Sequence, residues 1–172
     1  MLHLVQALLV AVFPALVIAA ALRDVTSYTI PNWMPLALLA GFVPAALAMG
    51  LAPAAIGLHL GVGLVGLVAG MAMFALGWIG GGDAKLFAAA TLWLGWPAAA
   101  VFAGVTGFAG GALAVTLLAL RSGFVRPFVV TGPAWFSRLA EPGENVPYGL
   151  AIAIGALAAF PGSPFMSAFA GF

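Results

Sequence analysis

Apolar residues run along this chain in long blocks, and short polar breaks separate them. A helix that crosses a bilayer needs about 20 mostly apolar residues. Residues 2–22 supply the first block, with His3 and Gln6 near its start, and residues 34–51 supply the second. Pro53 opens a third, residues 54–79, long enough to span with some tilt. Gly80-Gly81-Gly82 then interrupts the chain. A fourth helix follows from Asp83 to about Gly95, short for a full crossing, and Trp93 and Trp96 at its far end suit an interfacial aromatic belt. Gly95-Trp96-Pro97 punctuates before the fifth block, residues 98–120. A longer polar loop, residues 121–146, leads to the sixth, residues 147–160, which Pro161-Gly162-Ser163-Pro164 ends or bends. Between the first two blocks, residues 23–33 are polar and contain Ile30-Pro31-Asn32, a turn signal. The pattern predicts an all-α, polytopic integral membrane protein with six transmembrane helices in one domain over residues 1–172.

Composition narrows this picture. Charged residues are 5% of the 172, against roughly 25% in a soluble domain. Hydrophobic residues are 65%, which nine charges cannot cover in water and which excludes disorder. The absence of cysteine excludes a disulfide scaffold and a thiolate metal site. A net charge of +1 with no basic cluster argues against nucleic acid as a partner. The first block lacks a basic n-region and more hydrophobic blocks follow, so it reads as a retained helix and not a cleaved signal.

The basic residues orient the layout. With six crossings, Arg23 falls in the first connection, Lys85 in the third, and Arg121, Arg126 and Arg138 in the fifth, all on one face. The positive-inside rule makes that face cytoplasmic and puts both termini outside. Merging the fourth and fifth blocks would send three Arg across the membrane and leave Pro97 in mid-helix. Gly57 with Gly61, Gly66 with Gly70 and Gly107 with Gly111 have the spacing of close helix packing. Residues 124–139 mix Phe124, Phe128, Trp135, Phe136 and Leu139 with basic side chains; they read either as a segment in the headgroup plane or as an ordinary loop.

Of the four acids, Glu141 and Glu144 sit in a Pro/Gly-bearing loop and read as solvated charges. Asp24 and Asp83 lie at helix ends beside long apolar runs, on the same face. Two readings are open for each. Asp83 can cap its own helix, and Asp24 can be a loop charge paired with Arg23. Alternatively the two form a carboxylate pair, because ionisable groups near membrane depth face a protein interior or a polar cavity. Two adjoining carboxyls cannot both ionise easily and hold one proton between them. Such a pair can activate water and protonate a leaving group, which is peptide hydrolysis without metal or cysteine. His3 and His59 are isolated, with no ligand at metal-binding spacing, so no metal site is expected. A small transporter would place its acids at the midplane on broken helices, whereas these map to one interface. A structural subunit of an assembly machine is the third class.

Gly80-Gly81-Gly82-Asp83 with Ala84-Lys85-Leu86 resembles the GxGD motif of the type IV prepilin peptidases, which often continues as xKL. Asp24 followed by Ile30-Pro31-Asn32 is similar to that family's first aspartate and its IPN element, and Pro147-Tyr148-Gly149 to a third recurrent element. The resemblance covers nearly the whole chain. It implies an aspartic endopeptidase of the bacterial inner membrane with its active site at the cytoplasmic boundary and no cofactor. Asp24 and Asp83 are then catalytic, with Gly80, Gly82, Lys85, Pro31 and Asn32 in supporting or substrate-binding positions. The implied substrate is a prepilin or pseudopilin whose short basic leader is cut from a hydrophobic helix, and pilus or secretion assembly proteins are implied as further partners. Lys85 reads either as a holder of substrate or Asp83 charge, or as a snorkelling interfacial lysine. Long members of the family carry a further cytoplasmic segment with paired cysteines and also N-methylate the mature pilin. Here only residues 23–33 separate the first two helices and there is no Cys. The chain therefore resembles the short form that accompanies tight-adherence (Flp) pilus systems, and the resemblance does not extend to methyltransferase activity.

Overall fold

Helix α1 runs over Leu2–Ser27, one turn and more beyond the apolar block that announces it. The extension comes from two hydroxyls that fold back onto the helix. Thr26 Oγ1 donates to the Leu22 carbonyl at 2.7 Å and Ser27 Oγ to the Arg23 carbonyl at 2.6 Å. Tyr28 then ends the helix in the left-handed region at φ 52°, its N–H donating to the Asp24 carbonyl at 2.8 Å. The connection to α2 is thus shorter than the polar run in the sequence, and Asp24 lies inside a helix.

The computed structural model describes residues 1–126, 134–141 and 146–171. After α1 come α2 (Trp33–Ala48), α3 (Pro53–Ala75), α4 (Gly81–Leu94) and α5 (Ala98–Leu120). The short α6 (Ala134–Leu139) precedes α7 (Tyr148–Ala159), a 3₁₀ turn at Phe160–Gly162, and α8 (Pro164–Ala170). Every described element is helical, with no strand among the described residues. Three helices, α1, α3 and α5, are long and apolar enough to cross a membrane. The pair formed by α7 with its turn and α8 is a fourth candidate, bent by 42° at the Pro-Gly-Ser-Pro stretch. Helix α2 is apolar but shorter, and α4, at 14 residues, extends only about 21 Å against a hydrocarbon thickness of about 30 Å. Residues 127–133 of the segment 124–139, with its two alternatives, and Glu144 lie outside the described residues.

Helix α4 is the hub. It touches α1, α2, α3, α5, α7 and α8, and ten of its 14 residues are buried. Its closest partner is α3, where glycines admit the approach. A Cβ at Gly66 would overlap the Thr91 side chain, and one at Gly70 would come 2.8 Å from the Ala84 carbonyl oxygen. By contrast Gly57, Gly61, Gly107 and Gly111 have nothing within 4 Å of a Cβ, so only the middle pair packs inside the molecule.

The end of α4 remote from Asp83 is sealed by aromatic rings. Trp93, fully buried, stacks on Phe13 with centroids 5.5 Å apart and on Phe165 at 5.0 Å, and meets Phe42 edge-on at 6.2 Å. Its indole N–H donates to the Leu38 carbonyl at 2.8 Å. Trp93 is therefore a core anchor and not part of an interfacial belt; Trp96 alone of the two is exposed. Two buried polar side chains tie down helix C-termini at this end, where the last four carbonyls lack helical partners. Gln6 Nε2 donates to the Ala48 carbonyl of α2 at 2.9 Å. His59 Nδ1 lies 2.7 Å from the Leu92 carbonyl of α4 and so carries its ring proton there.

Candidate active site

Asp83 is the third residue of α4, and the run of glycines before it shapes its surroundings. The Gly80 N–H donates to Asp83 Oδ2 at 3.0 Å, so the carboxylate reaches back to the start of its own helix. The cap expected from the sequence is thus formed, but it occupies only one oxygen. Asp83 Oδ1 is buried with no hydrogen-bond partner. The residue as a whole is 6% exposed.

Asp24, 4% exposed in the last turns of α1, is held from a different element. The Gly149 N–H, in the first turn of α7, donates to Asp24 Oδ2 at 2.7 Å. A helix N-terminus favours an anion through its free N–H groups and its dipole. Only glycine fits at position 149, since a Cβ there would lie 2.9 Å from both Cβ and Oδ2 of Asp24 and 3.0 Å from Ile30 Cδ1. Arg23 is exposed on the neighbouring position, and no ion pair to Asp24 occurs among the described residues.

The two carboxyls face one cavity of about 390 Å³, lined by Asp24, Tyr28, Gly77, Trp78, Ile79, Gly80, Asp83 and Val146. One acid comes from α1 and the other from α4, so the fold converges two sites that lie 59 positions apart in the sequence. Among the described residues no group of three His, Cys, Asp or Glu side chains could hold a metal ion.

Ile30 is the strut between the two acids' supports. It is buried, with its backbone and Cβ against Gly82 and its Cδ1 against Gly149. A Cβ at Gly82 would sit 3.0 Å from Ile30 Cβ and 3.2 Å from its carbonyl oxygen. The start of α4 and the start of α7 thus close onto the same residue from two sides. Gly80 lines the cavity, and Gly82 serves by letting Ile30 approach.

Pro31, Asn32 and Lys85 are not at the cavity. Lys85 is exposed and donates from Nζ to Asn32 Oδ1 at 2.7 Å, tying the turn before α2 to α4. Asn32 and Lys85 line a separate apolar groove of about 470 Å³ on another face of α4, and Pro31 does not border the two-acid cavity. The lysine holds neither carboxyl. Sequence reasoning missed Tyr28, Val146 and the role of the Gly149 N–H. Tyr28 carried a signal only in its left-handed backbone, which no sequence pattern announces, and its ring receives the Arg138 guanidinium 5.0 Å from the centroid. Gly149 was visible as a motif element, but a main-chain donor leaves no residue-type signature.

A model of the type IV leader peptidase family matches residues 11–115, a stretch that includes both aspartates, Ile30 and the glycine run. No curated protein and no solved structure gives a significant match.

Proposed function

The chain belongs to the type IV leader peptidase family, and we propose that it is an aspartic endopeptidase that removes the short basic leader from a prepilin or pseudopilin. The observation that carries this reading is the shared cavity: two buried carboxyls from α1 and α4 line it together. In the proposed reaction the pair holds one proton. The ionised carboxyl takes a proton from water, the water oxygen attacks the scissile carbonyl carbon, and the protonated carboxyl hydrogen-bonds the carbonyl oxygen. Collapse of the tetrahedral intermediate breaks the C–N bond, and a proton passes to the leaving amine. The Gly80 and Gly149 N–H groups hold the two carboxyls in place without adding a titratable neighbour.

The membrane arrangement belongs to the same proposal. We read α2 and α4 as short crossing segments within a six-segment bundle; α4 needs no lipid-spanning length because protein surrounds it. The basic side chains support a cytoplasmic site in the inner membrane. Lys85 bonds Asn32 beside the α1–α2 turn, Arg121 Nε donates to the Leu139 carbonyl at 3.0 Å, and Arg138 lies over Tyr28 at the cavity. A site at that boundary suits a substrate cut where its hydrophobic helix meets the cytoplasm.

Co-expression with a prepilin, followed by mass measurement of the mature N-terminus, tests the reading. The wild-type chain removes the leader. Asp24→Asn and Asp83→Asn each lower cleavage by ~10²–10⁴-fold, the range for losing a positioned acid or base, while both variants remain in the membrane at wild-type level. Processing by both variants at the wild-type rate would sink the peptidase mechanism.

A further inference from the structure

We infer that the substrate's hydrophobic helix enters through the lipid-facing groove between α3 and α5; this rests on the peptidase reading above and adds the route to its site. Among the described residues, apolar grooves open between helices on the sides of the bundle. One lies between α2 and α3, one between α1 and α7, and one, of about 560 Å³, between α3 and α5 with α4 as its floor. The last runs toward Asp83 along its α4 floor. Its floor is made by Thr91 and Phe87, and Asp83 is the next residue in that row, each spaced by four and so stacked along one face of α4. Eight residues of helix separate Thr91 from Asp83, a distance of about 12 Å. On α3 the groove residues Val65 and Ala69 continue at the same spacing to Met73, and α3 ends at Ala75, two residues before Gly77 of the cavity.

The groove's chemistry matches a helix as occupant. Its lining carries no charge, and Val65, Ala69 and Ala103 are exposed along it. Gly61 stands in its wall with nothing within 4 Å of a Cβ, which permits a visiting backbone to come close in lipid. The groove between α2 and α3 instead lies on the Lys85, Ala88, Ala89 and Leu92 face of α4, away from Asp83. The groove between α1 and α7, lined by Ile18, Leu22, Val25, Leu150 and Ile154, reaches the level of Asp24 but lies across α1 from its carboxyl, which α1 carries on its buried side. A helix lying between α3 and α5 with its cytoplasmic end at Asp83 would deliver the leader junction that precedes it into the cavity.

Site-specific photo-crosslinking tests this. A benzophenone amino acid is placed singly at Val65, Ala103, Leu39 or Leu157, all lipid-exposed positions, in the Asp83→Asn chain so that substrate stays uncut. The probe is an epitope-tagged single-span prepilin co-expressed in the same membrane. The expected result is a substrate adduct at Val65 and Ala103 at least tenfold stronger than at Leu39 and Leu157. Equal or stronger adducts at Leu39 or Leu157, adducts at Val65 and Ala103 to a second copy of this chain, or no polypeptide adduct at those two positions each overturn the groove assignment. The peptidase reading fails separately, when the unmodified chain does not cut the same prepilin.

Discussion

At Asp24 the supporting atoms are main-chain atoms, and this decides which single substitutions are informative. Gly149→Ala keeps the N–H that holds the carboxyl but puts a methyl group 2.9 Å from Asp24 Cβ and Oδ2. The carboxyl or the start of α7 must shift, and a displacement of about 1 Å at a reacting group costs ~10²-fold in rate. Gly149→Ala is expected to lower leader cleavage by about that factor at unchanged protein level, measured as initial rate in detergent. Gly57→Ala, whose methyl meets nothing within 4 Å, is the matched control and cleaves at the wild-type rate. Lys85 and Asn32 behave differently because their contact is one hydrogen bond at the surface. Lys85→Met and Asn32→Ala are expected to lower the thermal midpoint equally, and the double variant no further, since each alone already removes the bond. A double variant that loses the sum would show that the two side chains act independently.

Between elements, the governing contact is that of α3 on α4. Gly66→Ala forces a methyl into Thr91 and is expected to destabilise by about 1–3 kcal/mol, the usual cost of overpacking. Gly57→Ala on the same helix is expected to be neutral or stabilising by up to about 1 kcal/mol through helix propensity. Thermal unfolding in detergent separates the two, and equal effects would contradict the packing of α3 through its middle glycines. Much of this level was legible in the sequence. The glycine run placed the start of α4, Pro97 preceded α5, and the Pro-Gly-Ser-Pro stretch marked the bend after α7. What escaped depends on which neighbour a side chain meets. The hydroxyls of Thr26 and Ser27 can solvate a loop or bond back onto a helix, and only the second carries α1 to Ser27. Trp93 at a helix end suits an interface until Leu38 supplies a buried acceptor for its N–H. Lys85, two residues after Asp83, is close in sequence but lies on another side of a helix that turns 100° per residue. For the site, the two acids were legible as a candidate pair on one face, and both line one cavity. Ile30 was legible only as part of a turn, because its wedge between Gly82 and Gly149 exists only once three distant segments meet.

For the whole molecule, orientation is open to a direct measurement, since a chain without cysteine needs no background removed. Ser122→Cys, after α5, is expected to be shielded from a membrane-impermeant thiol reagent in intact cells and labelled after lysis. Ala52→Cys, in the turn before α3, is expected to be labelled in intact cells once the reagent passes the outer barrier. The reverse pattern would invert the proposed topology.

The aromatic seal at the far end of α4 has an electrical consequence. Trp93 lies ten residues beyond Asp83 along α4, about 15 Å away, and Phe13, Phe42 and Phe165 close around it. An energised membrane drives each elementary charge with about 2.3 kcal/mol per 100 mV. A polar cavity bearing two titratable acids would short-circuit that potential if it continued to the opposite face. The rings close that end around His59, whose Nδ1 is committed to the Leu92 carbonyl, so under the proposed topology the two acids are expected to exchange protons with the cytoplasmic side and the membrane to stay charged while the peptide is cut.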